Sequence, residues 1–153
     1  MSQEVIDILK ARIVRIMSQE VVNILNAARS MELFAVRQYM QQHYLLTKPE
    51  HQKLAKKLRK IAITEMEHCE ALAERVVELG GDPTSKIAQE IIHGQSFDEI
   101  WRFDAKLEAD TIVKYNEFLD ELRQLNDHVS YTLLSLIVDD EYEHLQFFHN
   151  QIT

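Results

Sequence analysis

An all-α fold, a four-helix bundle with one long crossover between its second and third helices, is what this chain predicts. Three observations carry that prediction. Apolar residues recur at helical spacing through four long stretches. Glycine and proline are scarce, with three Gly and two Pro in 153 residues, and they cluster between those stretches. The connections read short, long, short, which is the pattern of a bundle with one crossover.

The first helix is expected over residues 3–46, where Val5, Ile8, Leu9, Ile13, Ile16, Val21, Ile24, Leu25, Leu33, Val36 and Met40 keep the period. Ser18 marks a place for a break. Ser2–Leu9 (SQEVIDIL) is echoed by Ser18–Leu25 (SQEVVNIL). Residues 1–17 therefore read either as an extra amphipathic arm or as a start-site artefact with Met17 as the first residue. The domain reading is an N-terminal helical extension over 1–17 and the bundle over 18–153.

Thr47-Lys48-Pro49-Glu50 marks the first turn, with Thr47 as a cap and Pro49 in the first helical turn. The second helix runs to about Leu79, where Gly80-Gly81-Asp82-Pro83 stops it. Residues 84–96 form the crossover, with a short helical piece expected inside it. The third helix starts near Ser96, where Ser96-x-x-Glu99 reads as a capping box, and ends near Leu125. Asn126-Asp127 turns the chain into a fourth helix over about 128–151.

Composition narrows the function. A domain of this length buries roughly 68–70% of its unfolded surface, so it needs no disulfide to hold it. The formal charge is −8, from 25 acidic and 17 basic residues. That balance argues against nucleic-acid partners and suits the handling of cations. The single cysteine, Cys69, fits a reducing, cytoplasmic setting. No apolar run approaches the ~20 residues of a membrane span. The charged N-terminus lacks the apolar core of a signal peptide.

The chemistry lies in two Glu-x-x-His pairs, Glu65/His68 and Glu141/His144. Residues i and i+3 share a helical face. Each pair has a lone glutamate upstream, and the interval from Glu32 to Glu65 equals that from Glu108 to Glu141. One device is therefore used twice, once in each half of the chain. Glu32 and Glu108 sit among apolar neighbours, and a buried carboxylate must be neutralised by a partner or a metal. Four carboxylates and two imidazoles on four helices suit two divalent ions. Glu65 and Glu141 are the expected bridges, since each shares a helix with a histidine, and Glu32 and Glu108 the expected terminal ligands. Mixed oxygen and imidazole ligation suits iron or manganese. A third pair, Glu90-x-x-His93, falls in the crossover without an upstream glutamate and reads as coincidence. His43, His51, His128 and His149 carry no spacing signal. Cys69, beside His68, reads as a small packing residue, with a redox-sensitive thiol as the alternative.

At these residues the chain resembles the bacterioferritins, within the ferritin-like superfamily. MELFAVRQY (31–39), TEMEH (64–68) and DDEYEH (139–144) carry the resemblance, together with the intervals between their acidic residues. It covers about residues 18–150. It implies a ferroxidase centre of Glu32, Glu65, His68, Glu108, Glu141 and His144 that holds two Fe ions per subunit. That centre oxidises Fe(II) with oxygen or peroxide inside a hollow homo-oligomer that stores ferric mineral. Tyr39, two helical turns after Glu32, matches a tyrosine that supplies an electron near the metals; a core tyrosine is the alternative. Met66 matches the methionine that two subunits offer to haem b at a twofold interface; a gap-filling methionine is the alternative.

The chain also departs from that pattern. Only nine residues follow His144, which leaves no room for a fifth helix. A dodecamer or smaller oligomer thereby stands beside the 24-mer, with a dimer as building block. Lys60 and Thr64 stand where the family has an inner-cavity His and Asp. Lys53, Lys56, Lys57 and Lys60 form a basic stripe, either a solvated face or a patch for an acidic partner. If it faces a cavity it repels Fe(II). The competing enzyme reading is therefore a di-iron or di-manganese oxidase or peroxidase, with Dps-like peroxide detoxification and no bulk storage. A helical oligomerisation module with a vestigial site is the reading from another class.

Overall fold

The computed structural model describes residues 1–153. Four helices follow in order: α1 Gln3–Leu45, α2 Gln52–Glu78, α3 Phe97–Gln124 and α4 His128–His149. α1 packs mainly on α2, and α3 on α4. The two hairpins close around a core of two apolar clusters. One gathers Leu25, Leu72, Tyr115, Leu122 and Leu134; the other gathers Tyr39, Leu58, Trp101 and Phe148. No helix is long and apolar enough to cross a membrane.

α1 begins where the Ser2 side chain accepts from Val5 N, a standard N-terminal cap. It then runs for 43 residues, about 65 Å at 1.5 Å per residue, without the expected break at Ser18. No glycine or proline interrupts this stretch, and Gln19 and Asn23 bond across one turn at 2.9 Å just past the serine. Its first part stands free of the bundle: no side chain before Val21 is buried.

Thr47 does not cap the second helix as expected. Its hydroxyl donates back to Tyr44 O at 3.0 Å, closing α1. The chain then enters α2 through a 3-10 turn over Pro49–His51. At the far end Gly80 takes φ +78°, and Gly81 N donates to Val76 O at 2.9 Å. Gly81 is a close approach as well as a turn. A Cβ there would lie 2.7 Å from Val22 Cγ1 and 2.9 Å from Val22 Cγ2.

The crossover contains no helical piece, contrary to expectation. Several of its backbone polar groups are taken by side chains of α1, and Ala88 N donates to the α1 carbonyl of Ser30. Asn26 bonds both Asp82 O and Thr84 N, at 3.0 and 2.9 Å. Arg29 Nε donates to Thr84 O, and Ser30 Oγ donates to Lys86 O. Gln38 clamps Ile92 through both its amide nitrogen and its oxygen. The capping box forms as expected: Glu99 N donates to Ser96 Oγ and Ser96 N to Glu99 Oε2. Asn126 turns the chain with φ +56°, and Asp127 caps α4 by accepting from Ser130 N at 2.8 Å.

Gly81→Ala should lower stability by about 1–3 kcal/mol through overpacking against Val22. Urea titration checks this, and an unchanged midpoint contradicts the close packing of that turn.

Candidate metal centre

Each helix contributes to one polar box between the two apolar clusters. Glu32 comes from α1, Glu65 and His68 from α2, Glu108 from α3, and Glu141 and His144 from α4. All six side chains are buried. The structure therefore brings together every residue that the sequence pattern nominates for metal. Two groups of four donors result: Glu32, Glu65, His68 and Glu141, and Glu65, Glu108, Glu141 and His144. Within each group the ligand atoms lie within 4.8 Å of one another. Glu65 and Glu141 belong to both.

The contacts inside the box follow the same division. His68 Nδ1 lies 2.9 Å from Glu65 Oε2, 3.3 Å from Glu141 Oε1 and 3.6 Å from Glu32 Oε2. His144 Nδ1 lies 3.0 Å from Glu65 Oε1, 3.2 Å from Glu141 Oε2 and 3.8 Å from Glu108 Oε1. These are ion-pair distances, yet both oxygens of Glu65, Glu141 Oε1 and His68 Nδ1 have no hydrogen-bond partner of good geometry. Their lone pairs converge on shared points instead of pairing off. Converging buried donors suit a cation, since unpaired polar atoms in a core otherwise carry a desolvation cost.

Two tyrosines hold the outer carboxylates. Tyr39 on α1 donates to Glu108 Oε1 on α3. Tyr115 on α3 donates to Glu32 Oε1 on α1 at 2.7 Å and also reaches Ala28 O at 3.1 Å. Tyr115 follows Tyr39 by the same offset that separates Glu108 from Glu32 and Glu141 from Glu65. That signal is present in the sequence and marks a residue that motif reasoning passes over. Asp140 is the other addition: its carboxylate accepts from His68 Nε2 at 2.8 Å. Its counterpart in the first half of the chain, at that same offset, is Thr64, so no repeat could reveal it. His144 instead borders a groove of about 160 Å³ lined by Lys57, Lys60, Thr64, Asp140 and Glu143. Lys53 and Lys56 are exposed on the same helix.

Met66 stands apart from the box, 55% exposed on the outer face of α2. Glu90 and His93 are exposed in the crossover and join nothing. Cys69 is buried, and its thiol pKa is pushed up to about 12, by burial first and by the Glu32 charge next. It is a packing residue in this setting.

Electrostatics reflect four acids sharing one dry space. Burial pushes Glu65 up to about 8, with the charges of Glu32 and Glu108 adding to it. Glu141 rises to about 7, by burial and then by Glu32 and Glu65. Glu108 is raised by burial and by Glu141. Glu32 is the exception: burial pushes it up, but His68 and the Tyr115 hydroxyl bring it below the usual range. Burial pulls both histidines down, yet their carboxylate neighbours win. His144 reaches about 11, and His68 is raised as well.

The fold and this donor set define a class, the di-metal carboxylate bundles built from two lone glutamates and two Glu-x-x-His pairs. A family model described as the ferritin-like domain matches residues 22–153. The bacterioferritin of Desulfovibrio desulfuricans is 40% identical over 131 residues, covering 86% of this chain and 73% of that one. The bacterioferritin of Brucella melitensis is 33% identical, covering 87% and 83%. Among solved structures, the D. desulfuricans bacterioferritin superposes with a TM-score of 0.88 at 39% identity, over 90% of this chain and 80% of that one. That protein has a di-iron site described in different catalytic states. Mycobacterium tuberculosis bacterioferritin BfrA gives 0.81 at 28% identity, over 86% and 83%. The chain belongs to the bacterioferritin and ferritin-like family.

Raised pKa values make the metal-free box sensitive to base. Glu65 and Glu141 titrate near 8 and 7 instead of 4.5, and His144 near 11 instead of 6.5. The folded chain therefore holds more protons than the unfolded one across that span, so stability falls as pH rises through it. Chelator-treated protein should melt at a lower temperature at pH 8.5 than at pH 6. A melting temperature that rises over this interval contradicts the assignment.

Proposed function

We propose that this chain is a ferroxidase that binds two Fe(II) ions within one subunit and oxidises them as a pair, for iron storage or detoxification. The observation that carries the reading is the sharing of Glu65 and Glu141 between two complete donor groups. Glu32 and His68 serve as terminal ligands on one side, Glu108 and His144 on the other, and Glu65 and Glu141 span both. Iron and manganese both suit this mixture of oxygen and imidazole donors, and the family points to iron.

The substrate ions enter a site whose acids are partly protonated, because burial and mutual repulsion raise them. Binding of two dications displaces those protons and neutralises the box. Each Fe(II) then loses one electron. Dioxygen takes both with two protons to give hydrogen peroxide, or peroxide takes both with two protons to give two waters. Four carboxylates favour the Fe(III) product over Fe(II), as harder and more highly charged. Tyr39 and Tyr115 hold Glu108 and Glu32 in place, and Asp140 orients His68. Such supporting contacts are commonly worth about 10–100-fold in metal affinity or activity.

Assembly into a cytoplasmic homo-oligomer, from a dimer to a dodecamer or 24-mer, belongs to the same reading. Met66 suits haem b because its thioether is exposed on the outer face of α2. One Met66 from each of two chains would hold the group through its thioether sulfur, and the bound haem would supply electron transfer.

One observation favours the second reading, peroxide consumption without bulk mineral. Lys57 and Lys60 line the groove beside His144, and cations there oppose Fe(II) traffic. Asp140 and Glu143 line the same groove and offset that effect, so storage stays the leading reading. The ferric iron retained per chain after aerobic loading separates the two.

Glu65→Gln keeps the side-chain volume and removes the shared charge. It should slow Fe(II) oxidation by about 100-fold or more, whereas Glu90→Gln in the crossover should leave the rate unchanged. Stopped-flow absorbance of Fe(III) formation checks both. Equal rates in the two variants contradict the proposal.

A further inference from the structure

We propose that the free arm of α1, residues 3–17, is a docking helix for the same arm of a second copy of this chain, packed antiparallel. The inference is independent of the metal reading, because the arm contains none of the six donors.

The arm is amphipathic but unpartnered. Ile6, Leu9, Ile13 and Ile16 repeat at intervals of three, four and three residues, the spacing of a two-helix seam. Val5 and Met17 widen the seam. Yet Val5, Leu9, Ile13 and Ile16 are 43–55% exposed, and none of the four packs into either apolar cluster of the bundle. A contiguous apolar face of this kind marks an interaction surface.

The internal echo indicates what covers it. Val5, Ile6, Ile8 and Leu9 occupy the same places in Ser2–Leu9 as Val21, Val22, Ile24 and Leu25 do in Ser18–Leu25. The second set is buried to 7% exposure or less, against helices of this very bundle. The arm thus repeats a pattern already shown to pack on helices of this chain's own composition. A notch of about 410 Å³ adds a receiving surface. It lies where α1 leaves the bundle, between Val14, Met17 and Val21 on one side and Leu125 and Val129 on the other. In an antiparallel pair, the first turn of each arm lies over the root of its partner, beside that notch.

The order of charges makes the arm complementary to a second copy of itself and selects the direction. Within the arm the acids come first, Glu4 and Asp7, and the bases follow, Lys10, Arg12 and Arg15. An antiparallel pair sets the acidic half of each arm beside the basic half of the other. A parallel pair sets like beside like.

The test is the mass of the full chain by light scattering after size exclusion, compared with Leu9→Asp/Ile13→Asp and the milder Leu9→Gln/Ile13→Gln. These positions are outside the core, so helicity by circular dichroism and Fe(II) oxidation should stay at wild-type values. The expected result is a mass at least twofold lower in both variants. Disulfide linking adds direction: chains with Leu9→Cys should join chains with Ile13→Cys across an antiparallel pair. An unchanged mass, or a monomeric wild-type chain, overturns the proposal. So does flotation of the wild-type chain with phosphatidylglycerol vesicles when the substitutions leave its mass alone, since lipid is then the partner. Leu9→Cys chains that link only to themselves overturn the antiparallel arrangement.

Discussion

Four carboxylates buried in one small space, with two imidazoles to answer them, set the terms for the rest of this molecule. Charge in a dry core is costly unless paired or neutralised. Here the cost falls unevenly. Glu32 is kept ionised by His68 and Tyr115, while Glu65, Glu108 and Glu141 are driven towards the neutral form. Apolar clusters above and below keep water out and keep the box from relaxing outward. A bundle of well-packed leucines would hold together without this arrangement, so a buried cluster of shifted acids and imidazoles is intelligible as a site.

The scaffold is arranged to hold that box at fixed spacing. Each hairpin supplies one lone glutamate and one Glu-x-x-His pair, and the tyrosines cross between hairpins, Tyr39 from α1 to Glu108 and Tyr115 from α3 to Glu32. The two halves therefore support each other's carboxylates. The symmetry fails at one place, where His68 has Asp140 and the matching position beside His144 is Thr64. One imidazole is pinned from outside the box; the other faces a groove.

Much of this is legible in the chain. Apolar period places the four helices to within a few residues, and Ser96-x-x-Glu99 places the start of α3, because both signals are local. The six residues of the box are legible for a different reason: the repeat between the two halves states a three-dimensional relation in one dimension. Tyr115 obeys that repeat and can be found with it. The crossover is misread because its shape depends on Asn26, Arg29, Ser30 and Gln38, all of them on α1 and far upstream in the chain. Ser18 is misread because a serine that caps one helix sits quietly inside another when nothing else interrupts it. Asp140 leaves no trace, since its partner comes from a different helix and no spacing repeats it.

The most direct test of the central claim is anomalous diffraction at the iron edge, from crystals loaded with Fe(II) without oxygen. Two peaks inside the bundle, with Glu65 and Glu141 bonded to both, are the predicted result. A single peak, or peaks that leave Glu65 or Glu141 uncoordinated, would contradict a shared two-ion centre.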